Sequence, residues 1–215
     1  QPETENQIEY QTQSLETDFG YIQRLAKQYN EWLLYDGEKI IFGKPKKQEK
    51  AINLIFGSNL HNLNISVQAV PNQFSGFTYN EDNNKLYQAK TQDKIEGLPK
   101  LGNEAFDASE KLYPTPSFEY GRIATGDDMF LETVLKKQQE ASMADANYIT
   151  ATSNNNQLKI GSLISIETLV EKENEIKLGL VMPQFQTQGI GQYIITEITH
   201  KATDIGEYEN SFKAL

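Results

Sequence analysis

Ser162-Leu-Ile-Ser-Ile-Glu-Thr168 decides the fold class. Ile164 and Ile166 alternate with Ser165 and Glu167, so one side of an extended chain is apolar and the other polar, the period of a half-buried strand. Strand signals recur on both sides of it. Residues 148–152 precede it and residues 176–181, 193–201 and 207–214 follow, with Asn154-Asn-Asn156 and Gly161 supplying turns. Further upstream, residues 51–56, 63–67 and 74–79 are short, β-branched or aromatic, and bounded by Asn, Gly and Pro. Many short strands with one inserted helix predict a mainly β (α+β) chain, a small antiparallel β-barrel closed on itself. No internal repeat is present.

Helical periodicity interrupts this pattern twice. Phe19, Ile22, Leu25, Ala26, Tyr29 and Leu33 fall at three- and four-residue steps, Glu16 and Asp18 place negative charge in the first turn, and Ser14 or Thr17 supplies the N-cap. Trp32-Leu-Leu-Tyr35 and Glu38-Lys-Ile-Ile-Phe42 then flank Asp36-Gly37, a dipeptide suited to a type I′ turn. A helix packed on a hairpin is predicted, with Trp32 in its core. The second helix, about residues 126–146, is announced by Thr125-Gly-Asp-Asp128 ahead of Met129, Phe130, Thr133, Val134 and Met143. Residues 1–13 read as a frayed tail or one edge strand carrying Ile8 and Tyr10, and residues 43–50 as a linker. Residues 80–116 read as a long polar excursion with one strand near 85–89. These signals place a helix and hairpin subdomain at 1–48 and a barrel domain at 49–215.

Composition narrows the function classes. With 215 residues and 38% hydrophobic content, the chain is large enough for real cores. The formal charge of −10 opposes binding to duplex nucleic acid, and the one basic cluster, Lys44-Pro-Lys-Lys47 with Lys50, reads as a solvated connector. Cysteine is absent, which excludes disulfides, thiolate metal sites and Cys nucleophiles. Apolar runs such as Leu178-Gly-Leu-Val-Met182 fall far short of the roughly 20 residues of a membrane helix.

Nothing in the sequence assembles a reaction site. His61 and His200 are the only imidazoles, and no tight His, Asp or Glu spacing surrounds either, so a metal site or Ser–His pair would need tertiary approach. Asp127 and Asp128, with Glu132 four residues on, could form a carboxylate pair, but adjacent acids at a helix start favour the macrodipole. Gln188-Gly-Ile-Gly-Gln-Tyr193 lacks the third glycine, the Lys and the helix of a phosphate loop and reads as a hairpin turn. Phe74, Phe77 and Tyr79 could stack on sugars or bases; their spacing favours the core face of a strand. No catalytic, cofactor-binding or metal-binding residue is expected.

Two stretches at opposite ends carry a family resemblance. Glu16-Thr-Asp-Phe-Gly-Tyr-Ile-Gln-Arg-Leu-Ala-Lys-Gln-Tyr-Asn-Glu-Trp-Leu-Leu-Tyr-Asp-Gly37 resembles the "E-T/S-D-F … R-L" helix and hairpin of the VgrG spike proteins of type VI secretion systems and of phage late-control gene D hub proteins. Leu158-Lys-Ile-Gly-Ser-Leu-Ile-Ser-Ile166 resembles their "L-x-x-G" strand pair. Gly191-Gln-Tyr-Ile-Ile-Thr-Glu-Ile-Thr-His200 and Tyr208-Glu-Asn-Ser-Phe-Lys-Ala-Leu215 are similar to their "G-x-Y … H … Y-x-N-x-F-x-A" ending.

The resemblance implies a tail-hub domain in a trimeric, pseudo-hexameric ring. Such a ring mates with a hexameric, Hcp-like tube protein on one side, meets baseplate components, and leads into a needle carrying a tip protein or effectors. The implied parent is a homotrimer assembled in the bacterial cytoplasm and then ejected. This chain would hold the helix–hairpin subdomain and the second barrel; beginning at Gln1 and ending at Leu215 in a strand-like run, it is expected to be a piece of a longer polypeptide. Trp32 and Tyr35 would then supply buried area and His200 a structural contact, with no enzymatic role. The alternative is a carbohydrate-binding or adhesive β-domain using Tyr79 or Tyr87; an enzyme built on Asp127 and Asp128 comes third.

Overall fold

The computed structural model describes residues 11–44, 50–121, 128–177 and 180–215. In chain order the elements are α1 (Asp18–Tyr29), β1 (Leu33–Tyr35), β2 (Ile40–Phe42), β3 (Ile52–Ile55), β4 (Leu60–Val67), β5 (Phe74–Asn80) and β6 (Lys85–Lys90). There follow α2 (Lys100–Leu112), β7 (Ser117–Tyr120), α3 (Asp128–Ala146), β8 (Asn147–Ser153), β9 (Leu163–Lys177), β10 (Leu180–Ala202) and β11 (Tyr208–Ala214). They divide into two compact units. One comprises Gln1–Lys46 and Val67–Asn147, the other Lys47–Ser66 and Tyr148–Leu215. The single cut at residue 48 read from the sequence differs from this division, because 67–147 is an excursion between β4 and β8 that builds its own packing around α3.

The second unit is a six-stranded sheet in the order β3-β9-β10-β11-β8-β4. Period-two alternation decides its inner face: β8 buries every second residue from Asn147 to Ser153, and Ile164, Ile166, Tyr193, Ile195, Phe212 and Ala214 face the same core as Leu54, Leu60 and Leu158. Burial of this set is the main favourable term holding the unit together. β3 and β4 lie at opposite edges of the order, although only Phe56 to Asn59 separate them. Six flat strands would hold those edges about 24 Å apart, whereas Ile55 to Leu60 can span at most about 18 Å. The sheet therefore curls until its edges approach at this turn, where Gly57 takes a positive φ and the Asn59 Oδ1 accepts the Ile55 N–H at 2.7 Å. The expected closure is not completed: the join is an isolated Phe56–Leu60 bridge with no ladder among the described residues, so the sheet is not a closed barrel. Nor is it wholly antiparallel, since β3 runs parallel to β9.

The first unit gathers around α3. Against one side lies the three-stranded sheet β6-β5-β7, where Phe74 packs on Leu131 and Leu135. Gly76 makes this approach possible, because a Cβ there would stand 3.2 Å from the Leu135 methyls. Against a second side, Ala105 and Phe106 of α2 meet Met143 and Ala146; against a third, Leu25 and Tyr29 of α1 meet Phe130 and Val134. A helix buried on three sides spreads its apolar residues around its circumference.

α1 is capped as expected by Thr17, whose Oγ1 accepts the Gly20 N–H, and Asn30 ends it in the left-handed conformation that Asn tolerates. The hairpin that follows differs from expectation. Tyr35 pairs with Ile40 across a four-residue loop in which the Asp36 carboxylate accepts the N–H groups of Glu38 and Lys39 and only Gly37 has positive φ, so it is an Asx-type turn and not type I′. Trp32 is only half-buried and Tyr35 is 56% exposed, because the apolar residues of α1 pack on α3 instead of on the hairpin. The predicted excursion at 80–116 contains α2. Its buried stripe of Gly102, Ala105, Phe106 and Ser109 follows i, i+3, i+4, i+7, but small residues make up most of it. Residues 1–10, 45–49 and 122–127, including the tail, most of the basic cluster and the cap at Thr125, lie outside the described residues.

Candidate functional site

The residues weighed for chemistry take structural places. His61 is exposed. His200 faces Asn210 across β10 and β11, its Nδ1 stands 2.6 Å from the Tyr208 hydroxyl, and the Asn210 amide donates both to that hydroxyl at 3.2 Å and to the Asn155 carbonyl at 2.8 Å. The "H … Y-x-N" pattern is thus a clasp between two strands and the Asn154-Asn-Asn156 turn. Asp128 opens α3 and accepts the Gln88 N–H at 3.1 Å, docking the helix on β6; Asp127 lies outside the described residues. No cluster of three or more metal-ligating side chains occurs among the described residues, and no described helix is long and apolar enough to cross a membrane.

The charged residues of the N-terminal pattern also meet. Arg24 holds Glu16 through Nη2 and Oε1 at 2.7 Å, reaches the Thr12 carbonyl at 2.9 Å, and lies over the Tyr21 ring. Its hydrogen bond holds the Glu16 carboxyl below the usual carboxylate range, and the same bond raises Arg24. Burial pushes the Tyr29 phenol up. A second pair, Glu31 with Lys137 at 2.6 Å, is buried and ties the end of α1 to α3.

Among the described residues, no strand or helix packs on either of the following surfaces. The first is the outer face of β6-β5-β7. Phe74, Gly76 and Thr78 point inward, so Phe77 and Tyr79, expected with Phe74 on the core face, point outward; three positions apart cannot share a strand face. Parallel pairing of Ser75 with Phe118 and of Phe77 with Tyr120 sets those β7 rings on the same face. Phe77 stacks on Phe118 at 4.9 Å and meets Tyr120 edge-on at 5.4 Å, yet Phe118 is 67% and Tyr120 59% exposed. β7 is also an edge strand.

The second surface is the far part of the β9–β10 hairpin. β3 accompanies β9 only to Glu167, and β11 accompanies β10 only from Ile195, so among the described residues the ladder from Thr168–Gln188 to Lys177–Leu180 is a two-stranded arm. Gln188-Gly-Ile-Gly-Gln-Tyr193, expected as a turn, lies within β10 at a register shift between Gly189 and Gly191. Gly191 is needed because a Cβ there would meet the Tyr193 ring at 3.0 Å. Of residues 176–181, expected as a separate strand, Ile176 and Lys177 end β9, Leu180 and Val181 begin β10, and residues 178 and 179 lie outside the described residues. On the arm, Phe185 pairs with Glu171 and Leu169 with Thr187, which places Phe185 and Leu169 diagonally on one face, 64% and 50% exposed. From Leu178 to Thr196 the sequence carries no charge, while Glu171, Lys172, Glu173, Glu175 and Lys177 crowd the opposing strand. That uncharged run was the one sequence signal of this surface.

No family model matches the sequence, and no curated protein matches it. Solved structures do. A tail protein of Neisseria meningitidis superposes with a TM-score of 0.59 over 95% of this chain and 56% of its own, at 8% identity. The 43 kDa tail protein of prophage MuSo2 from Shewanella oneidensis gives 0.54 over 96% of this chain and 54% of its own, at 14% identity. A chain from the virion of a native gene transfer agent particle gives 0.51 over 91% and 38%, at 8% identity. The chain shares the fold of these phage-tail-type proteins and spans about half the length of the two tail proteins.

Proposed function

We propose that the chain is a structural component of a phage-tail-type assembly and, within that class, the hub domain at the base of a contractile spike of VgrG or phage late-control type. The likeness to tail proteins over 95% of the chain is the observation that carries this reading. In this role the chain is not an enzyme. Its parent forms a homotrimer between a hexameric, Hcp-like tube and a needle, contacts baseplate components, assembles in the bacterial cytoplasm and leaves with the particle. Stiffness is the property required, and the buried Glu31–Lys137 tie together with the three-sided packing of α3 supports it. The carbohydrate-binding alternative loses Tyr87, which is 4% exposed and has no ring face to offer. Density-gradient centrifugation with a hexameric tube protein of the same system tests the proposal. The chain should migrate with the tube rings; a chain that stays at its own density at every ratio would overturn it.

A further inference from the structure

We infer that the arm of one copy docks on the aromatic edge of the three-stranded sheet of a second copy. The inference deepens the assembly reading above by naming a partner and the surfaces that meet. An isolated two-stranded ribbon is marginal in water, and an edge strand displaying aromatic side chains invites pairing. The described residues include both, in the arm and in β7. β9 guards the arm's outer edge with Glu171 and Lys172, the usual protection of a free edge, whereas Gln184 to Gln192 of β10 carry no charge. The unguarded edge is the one suited to receive a strand.

β7 offers the complement. Its outer edge has no neighbouring strand among the described residues, and Phe118 and Tyr120 stand on the sheet face with Phe77 between them. Adding β10 of a second copy beside β7 would extend the sheet by backbone hydrogen bonds and bring Phe185 alongside Phe118 and Tyr120 as a cross-strand neighbour, with Leu169 of β9 one strand further along the same face. Charge permits the contact between two copies that each carry a formal −10. Residues 184–192 of the approaching strand carry no ionisable group, and Glu119, the one charge on β7, already accepts a hydrogen bond from Gln138 at 3.3 Å. The two surfaces differ, so the contact is head-to-tail and generates a ring wherever its rotation closes.

The absence of cysteine makes a clean test possible. Phe118→Cys and Phe185→Cys are prepared as separate single variants, their folds checked by circular dichroism, then mixed and oxidised over a range of concentrations. Each copy holds one thiol, so a mixed disulfide joins two molecules. The mixed dimer is expected to exceed either like dimer several-fold, and Phe185→Glu in a Phe118→Cys/Thr187→Cys mixture should suppress it, Thr187 lying two residues from Phe185 on the same face of β10. Ile205→Cys, equally accessible at 79% exposure, should not pair preferentially with Phe118→Cys. Like and mixed dimers in statistical proportion, or no dimer at any concentration, would overturn the inference. Either result is separate from the tube-binding test, which does not depend on which surfaces of two copies meet.

Discussion

One hairpin serves two purposes along its length. In its near part, Ile164 and Ile166 of β9 and Tyr193 and Ile195 of β10 are 0 to 2% exposed, with β3 and β11 on their flanks. In its far part the same two strands continue with no third strand among the described residues, and Leu169 and Phe185 stand in solvent. Backbone pairing is the same in both; side-chain burial is not. Strand pairing therefore gives the hairpin its reach, while the apolar face decides which part of it belongs to the core. A similar contrast separates the ion pairs: Glu31–Lys137 is buried, Glu16–Arg24 is open to water.

Substitutions can break these contrasts in descending order of effect. Lys137→Met removes the ammonium that faces the buried Glu31 carboxylate at 2.6 Å, and stability measured by urea unfolding should fall by about 4 kcal/mol. Adding Glu31→Gln to that variant should restore most of the loss. Ile166→Ala in the near hairpin should cost about 3 kcal/mol through lost burial and a cavity. Gly191→Ala forces the Tyr193 ring to move, and about 1 to 2 kcal/mol is expected. In the far hairpin, Leu169→Ser and Phe185→Ser should each change stability by less than about 0.5 kcal/mol while weakening self-association. A loss comparable to that of Ile166→Ala would mean that the arm packs within its own chain.

The smallest effect concerns pH. Arg24 lowers the Glu16 carboxyl in the folded chain, so the pair stabilises the protein above the unfolded carboxyl's pKa of about 4.3. That contribution disappears as pH falls through the lowered folded value. Glu16→Gln should therefore lie slightly below the parent in stability at neutral pH and converge with it in acid, as read from thermal midpoints.

Much of the fold was legible because burial and periodicity agree in most strands. Ile164 and Ile166, or Ile149 and Ala151, announce their face by alternation alone. α2 was not legible, since Gly102, Ala105 and Ser109 are buried for their smallness and leave little apolar signal. The incomplete barrel depends on how far a six-stranded sheet curls, which no local pattern encodes. Of the candidate surfaces, Phe77 and Tyr79 were visible but assigned to the wrong face, because β5 carries aromatics on both. The arm was read as separate strands: past Glu167 the alternation ends, since neither face is buried. Glu31 and Lys137, 106 positions apart, meet only through the fold.

Amide hydrogen exchange across β10, followed as protein concentration rises, tests most directly whether the arm awaits a second copy. In dilute solution the amides of residues 193–195 should be strongly protected and those of 184–192 weakly so, and protection of 184–192 and of β7 should increase together with concentration. Residues 184–192 as protected as 193–195 in dilute solution, or unchanged by concentration, would contradict it.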